Sequence, residues 1–226
     1  MRKIDFQKDQ EFYSQYTAPS VYTKDYLDIY RFNITLKFLR KKFNLKKPLE
    51  NKTILNVASG YGREAYIILS ICKPQKIILI DYSFNQLNEA KKYLKEFDQK
   101  YLIRGDAENI PFKDKSVDIC FINEALHHFV NPLKSLTEFI RVAKEIIILD
   151  EPFERRVICK VLESIFLFLK IKEKFERGYL EAFRIKRSIL NKISQEYKIK
   201  IVCYPYFIYY FEWYKNIRVK FIKLLY

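Results

Sequence analysis

TILNVASGYGREAYIILSICKPQKIILID, residues 53–81, is the stretch whose reading decides the fold. It opens on a short β-rich apolar run, Thr53–Val57, and breaks at a turn holding Gly60 and Gly62. REAYIILSIC (63–72) then has helical length. KIILI (76–80) is a second apolar run and stops at Asp81. Strand, glycine turn, helix and strand in that order form the unit of a parallel sheet, whose strands are apolar on both faces because helices cover both.

The pattern continues downstream. Residues 85–97 carry Leu87, Ala90, Leu94 and Phe97 at helical spacing. Residues 101–104 predict a weaker third strand before Gly105 and Asp106. VDICFI (117–122) predicts a fourth, 132–143 a helix, and EIIIL (145–149) a fifth strand ending at Asp150, Glu151 and Pro152. The expectation is an α/β fold, a Rossmann-like and mostly parallel sheet with helices on both faces. Ligands in such folds bind beyond the carboxyl ends of the strands. Gly60 and Gly62, Asp81, Asp106, Asn123, Asp150 and Glu151 all fall at those ends.

Glycine is scarce here, four residues where average usage of about 7% gives roughly 16. Three of the four, Gly60, Gly62 and Gly105, lie at two strand ends. A turn of this kind presents backbone N–H groups and a helix N-terminus to the polar end of a ligand. A carboxylate closing the next strand, Asp81, can accept two ribose hydroxyls. The plainer alternative for Asp81 and Asp106 is a helix cap or a solvated turn.

Four motifs in order carry a resemblance: ILNVASGYGREA (54–65), IILIDYS (77–83), RGDAENIPFKDKSVDICFI (104–122) and NEALHHFVNPLKSLTEFIRVAKE (123–145). Together they resemble the class I S-adenosylmethionine-dependent methyltransferases, in particular the small-molecule branch with quinone-biosynthesis enzymes. The resemblance implies S-adenosylmethionine as cofactor. It places backbone around Ala58, Ser59, Gly60 and Gly62 at the methionine part, with Asn56 offering an acceptor for the amino group. It places Asp81 on the ribose, Tyr82 beside the adenine, Asp106 on the adenine amino group and Ala107 against the ring. Asn123 falls near the methionine amine or the sulfonium. Asn56 stands where the family pattern usually has an acid, and Ala58 where it usually has Gly. Those departures keep a non-catalytic SAM-binding or interaction protein as one alternative.

Methyl transfer needs alignment of nucleophile, methyl and sulfur more than it needs chemistry. An oxygen nucleophile also needs a base. The only histidines, His127 and His128, follow strand four. His128 is the candidate base, with Glu124 and Glu151 behind it. His127 is read as part of the loop. No nucleophile elbow is present, and no metal site is suggested.

The +15 net charge divides unevenly. Residues 1–52 hold 12 basic and 6 acidic side chains, residues 53–150 hold 13 of each, and residues 151–226 hold 17 and 8. A neutral centre sits between basic flanks. The expected organisation is an N-terminal helical lid or substrate segment (1–52), a SAM-binding core (53–152) and a substrate-specific C-terminal part completing the sheet (153–226), as one structural domain. Tyr16, in the Tyr-rich N-terminal stretch, is a candidate cofactor contact. The segment 204–226 interleaves eight aromatics in its first eleven residues with later Lys and Arg. Such segments suit a membrane interface or a greasy substrate tunnel, and equally core or dimer packing. Residues 198–204 predict a sixth strand.

The expected acceptor is therefore a small, lipid-linked or glycan-linked metabolite, with a peripheral membrane contact possible in principle. An RNA methyltransferase using the basic flanks is a further alternative. Genome bias toward Lys, 30 of the 42 basic residues, explains the charge about as well. The start, MRKIDFQKDQEF, has no apolar targeting core, and no run of about 18 apolar residues occurs. Four cysteines far apart suggest reduced buried thiols. The expected location is cytoplasmic or peripheral at the inner membrane surface. The sequence sets no oligomeric state.

Overall fold

A computed structural model describes residues 26–44, 46–123, 125–150, 187–198, 207–213 and 217–223. The chain divides into two compact units, Met1–Glu151 and Pro152–Tyr226.

The first unit opens with α1 (Tyr26–Phe43), then β1 (Thr53–Val57), α2 (Arg63–Cys72), β2 (Lys76–Asp81), α3 (Phe84–Tyr93) and β3 (Lys100–Arg104). It continues with β4 (Val117–Asn123), a 3₁₀ turn (Leu126–His128), α4 (Pro132–Val142) and β5 (Ala143–Asp150). The five strands form one parallel sheet in the order β3-β2-β1-β4-β5. β1 is buried along its whole length, and the middle of β2 and most of β4 are buried too. β3 is an edge strand with partly exposed residues, which explains its weaker apolar signal.

Register decides which side chains share a face. Asn56 pairs with Leu79 and with Phe121. With period two along each strand, one face carries Ile54 and Asn56, then Ile77, Leu79 and Asp81, then Ile119, Phe121 and Asn123. Its apolar part packs with Ala65, Ile68 and Leu69 of α2 and with Leu87, Ala90 and Leu94. Phe32, Leu36 and Leu39 of α1, spaced four and three apart, enter the same cluster, and Phe32 meets Phe121 edge to face at 6.1 Å. Tyr66, Tyr93 and Phe97 join α2 to α3 through ring contacts of 5.1 and 5.6 Å. The opposite face, with Leu55, Val57, Ile80, Cys120 and Ile122, is equally buried. There α4 lies against β4 and β5.

The helix expected over residues 85–97 starts one residue earlier and ends at Tyr93. Ser83 caps it, its Oγ accepting from Gln86 N–H. Leu94 leaves helical geometry at φ −97° yet stays fully buried. Leu94 and Phe97 thus keep their core roles in a turn that mimics helical spacing.

Three ion-pair groups tie the ends of elements together. Arg141 donates to Glu138 through Nε and Nη2, to Asp114 through Nη1, and to the carbonyls of Ile110 and Phe112. Glu138 Oε2 in turn accepts from Ile110 N–H. This pair, one helical turn apart on α4, fastens the Ile110-Pro111-Phe112 turn. Asp118 accepts from Thr53 N–H and Lys144, and Lys52 bridges to Glu145.

These contacts set a sign for acid stability. The Arg141 guanidinium holds Glu138 below the usual carboxylate range. At Asp118 burial pushes upward, but the Thr53 N–H and Lys144 outweigh it and the net shift is down. Both carboxyls bind protons less tightly folded than unfolded. Their contribution is complete above the ordinary carboxylate range and is lost as pH falls through it. Urea midpoints should therefore drop steeply below about pH 4. Glu138→Gln should flatten that limb, and an unchanged pH profile would refute the role given to this pair.

In the second unit, α5 (Arg187–Tyr197) lies where residues 186–197 predicted a helix. The predicted sixth strand falls almost wholly outside the described residues. β6 (Phe207–Trp213) and β7 (Ile217–Lys223) form an antiparallel sheet of two strands, separate from the five-stranded one. The described C-terminal strands thus pair with each other. No described helix is long and apolar enough to cross a membrane.

Candidate functional site

The chain leaves β3 and returns at β4 on the far side of β1. Strand order reverses there, so the crevice at the carboxyl ends of β1 and β4 is the natural ligand site of this sheet.

The turn after β1 is built from unusual backbone. Ala58 has φ +48°, Gly60 φ +53° and Gly62 φ +86°. Ser59 N–H donates to Ile80 O and Gly62 N–H to Ser59 O, which folds the loop back onto β2. Gly60 N–H donates to Asp81 Oδ2 at 2.8 Å, and Ser83 N–H to Asp81 Oδ1 at 2.8 Å. Asp81 therefore joins the glycine turn to the start of α3. Each oxygen keeps acceptor capacity after those bonds. Burial pushes its carboxyl up, against the N–H groups of Ser83, Gly60 and Tyr82, and the net shift is upward.

Two buried polar atoms in this region have no protein partner, Asn56 Oδ1 and Ser59 Oγ. Asn56 is 1% exposed and Ser59 2%. Buried polar groups are almost always hydrogen-bonded, so a pair of orphans at a strand-end turn marks a place for a polar ligand. A zwitterionic amino-acid group with ribose hydroxyls, as S-adenosylmethionine carries, matches that set: orphaned polar atoms at Asn56 and Ser59 and a carboxylate at Asp81.

The remaining expected residues are placed as follows. Tyr82 is exposed, with the Arg104 guanidinium 5.7 Å from its ring centre and Arg104 Nε donating to its carbonyl. Asp106 is exposed, and its oxygens accept from Glu108 N–H and Asn109 Nδ2. It closes its own turn. Ala107 is half-buried beside it. Gly105 N–H donates to Asp81 O, and a Cβ there would lie 2.6 Å from Ile80 Cδ1, so backbone approach requires this glycine. Asn123 Nδ2 donates to Glu64 Oε1 at 3.0 Å. His128 is half-buried in the 3₁₀ turn, where its N–H donates to Ala125 O. Tyr16, Glu124 and Glu151 lie outside the described residues.

Sequence reasoning gave no role to Glu64 or to the Glu138–Arg141 clamp. Both sit inside the quoted motifs, but their partners are distant in sequence. Burial raises the thiols of Cys72, to about 11, and of Cys120, which fits unreactive cysteines. Among the described residues, no group of three or more His, Cys, Asp or Glu is arranged to hold a metal.

Ala58 offers a direct test of the turn. An L-residue at positive φ costs roughly 1–2 kcal/mol, part of which glycine returns as unfolded-state entropy. Ala58→Gly should therefore raise the melting temperature, by about 0.5–1 kcal/mol of stability. A lower melting temperature would remove the left-handed assignment at this residue.

Residues 55–146 match the family described as Methyltransferase domain. A demethylmenaquinone methyltransferase from Clavibacter sepedonicus is 29% identical over 113 residues, which cover 50% of this chain and 42% of that protein. The chain thus spans well under half the length of that relative. A demethylmenaquinone methyltransferase from Thermotoga maritima is 26% identical over 184 residues, covering 77% of this chain and 78% of that one. Among solved structures, a candidate methyltransferase from Bacillus halodurans C-125 superposes with a TM-score of 0.57 at 25% identity, over 78% of this chain and 73% of the other. The sheet order, the glycine turn, the carboxylate closing β2 and these likenesses agree: residues 55–146 of this chain are a methyltransferase domain, similar to those of the class I S-adenosylmethionine-dependent methyltransferases.

Proposed function

We propose that the chain is an enzyme that transfers the cofactor's methyl group to a lipid-linked small molecule. The observation that carries the methyltransferase part is the site itself: two orphaned buried acceptors, a left-handed glycine turn and Asp81 at adjoining strand ends. In this reading Asn56, Ala58, Ser59, Gly60 and Gly62 receive the methionine end, Asp81 the ribose, and Tyr82, Asp106 and Ala107 the adenine. The cofactor supplies an electrophilic methyl on a sulfonium. The chain's task is to orient it and exclude water. His128 and Glu124 are the proposed groups for taking a proton from an oxygen acceptor.

The lipid part rests on the sequence of residues 204–226, which interleaves eight aromatics in its first eleven residues with later Lys and Arg. A segment of that composition suits a hydrophobic tail or an anionic bilayer surface. Relatives named for demethylmenaquinone point to the same class of acceptor.

The test uses S-adenosylmethionine labelled in its methyl group, incubated with the full chain and a cell lysate. Label in the organic-extractable fraction is expected. Label in RNA would replace this reading with the RNA methyltransferase. Tight cofactor binding with no label in any fraction would make the chain a non-catalytic SAM-binding protein. Retention on anionic liposomes, lost when residues 204–226 are removed, is the expected sign of the peripheral membrane contact.

A further inference from the structure

The methionine end of the cofactor carries an α-ammonium group beside a cationic sulfonium. A half-buried site must offer such a group charge-assisted acceptors, since an uncompensated cation is costly there. Asn56 Oδ1 supplies an acceptor with no charge. Asp81 ends β2, one strand away, and both its oxygens already accept backbone N–H groups. Asp106 is exposed and closes its own turn.

Glu64 is placed differently. It stands in the first turn of α2, directly after the glycine turn, with its side chain 17% exposed. Asn123 Nδ2 donates to its Oε1 at 3.0 Å, and Arg63 reaches the same oxygen through Nε at 3.2 Å and Nη2 at 2.9 Å. Among the described residues, every one of these bonds arrives at Oε1 and none at Oε2. Asn123 ends β4 on the same sheet face as Asn56, one strand over and two residues further toward the carboxyl edge. The Asn123–Glu64 bond therefore brings a carboxylate to the β1–β4 crevice on the face that holds the orphaned Asn56 Oδ1. A carboxylate with one oxygen tethered and one free is pre-organised to accept from an ammonium.

We propose that Glu64 binds the α-ammonium of the cofactor, supplying the negative charge that position 56 lacks, and that Asn123 is a positioning residue holding Glu64 for that contact. This rests on the methyltransferase assignment of the core. It also gives Asn123 an indirect part in place of a direct bond to the amine or sulfonium.

The test is calorimetric binding of two ligands to the full chain. S-adenosylhomocysteine carries the amino-acid end, and 5′-methylthioadenosine lacks it. Glu64→Gln should weaken the first at least tenfold and leave the second within twofold of wild type. An analogue of S-adenosylhomocysteine without its α-amino group should bind wild type and Glu64→Gln alike, because the charge and its partner act as one unit. Equal weakening of both ligands, or of neither, overturns the proposal. If Glu64→Gln fails to fold, Glu64→Asp keeps the charge and withdraws it by one methylene. It should lose severalfold on S-adenosylhomocysteine alone, and an equal loss on both ligands again overturns the assignment. A wild-type chain that binds neither ligand would sink the cofactor assignment itself.

Discussion

Gly62→Ala should lower the stability of the 1–151 unit by about 3 kcal/mol, a loss of roughly 6–12 °C in melting temperature. Two costs coincide at this residue. Its φ of +86° lies in the left-handed region, where a side chain is strained. A Cβ built there would also lie 2.9 Å from Leu94 Cδ1, 3.3 Å from Leu79 Cδ2 and 3.4 Å from Ala90 Cβ. Leu94 and Ala90 are fully buried, as is Leu79, so the packing around that methyl has little room to yield. Gly60 separates the two costs. Its φ is +53°, but the nearest atom to an added Cβ is Gln86 Oε1 at 3.7 Å, an ordinary contact. Gly60→Ala should therefore cost only the backbone share, about 1 kcal/mol. Equal losses for the two variants in urea unfolding would discard the packing argument. Leu94→Ala should combine with Gly62→Ala less than additively, since it removes the atom being struck.

The same residues show what could be read from the sequence. The bounds of β1 and α2 follow directly from residues 53–72, because a run buried on both faces and a glycine turn leave one-dimensional marks. β3 was weaker in sequence because only one neighbour covers it at the sheet edge. Leu94 and Phe97 predicted a longer α3, since a turn that keeps two apolar residues on the core face preserves helical spacing. The departure at Ala58 was visible as a residue standing where the pattern has Gly, and the structure gives it the positive φ such a position demands. Glu64 was quoted within a motif and left without a role. Its partner Asn123 lies 59 residues away, and nothing local announces that pairing. Arg141 is similar: three of its five hydrogen bonds reach Ile110, Phe112 and Asp114 some 30 residues earlier, which no helical period encodes. Aromatics stand at adjacent positions within residues 207–213, so strict alternation is hidden in the sequence and the segment read as an aromatic-cationic stretch with no pairing partner.

Asp81→Ala should weaken S-adenosylmethionine binding by about a hundredfold or more. Two hydroxyl donors to a carboxylate contribute about 1.5–3 kcal/mol each, and losing both removes roughly 3 kcal/mol or more. The contact also has a pH sign. Burial holds the Asp81 carboxyl above its ordinary value, so its proton is bound more tightly folded than unfolded. Its own contribution to stability accordingly falls as pH rises through that window, opposite in sign to Glu138 and Asp118. Cofactor binding should run the other way. An ionised carboxylate can accept both ribose hydroxyls, whereas the protonated form spends one oxygen as a donor, so affinity should fall as pH drops through the raised value. Asp81→Asn keeps the shape and loses the titration. It should bind more weakly than wild type at neutral pH and show no such acid limb. Calorimetry of wild type, Asp81→Ala and Asp81→Asn, with melting curves to confirm folding, decides the matter. Wild-type affinity in a folded Asp81→Ala chain would remove the ribose from Asp81. The carboxylate would then be left with the structural part already visible, the bridge from Gly60 N–H to Ser83 N–H that fixes the glycine turn against α3.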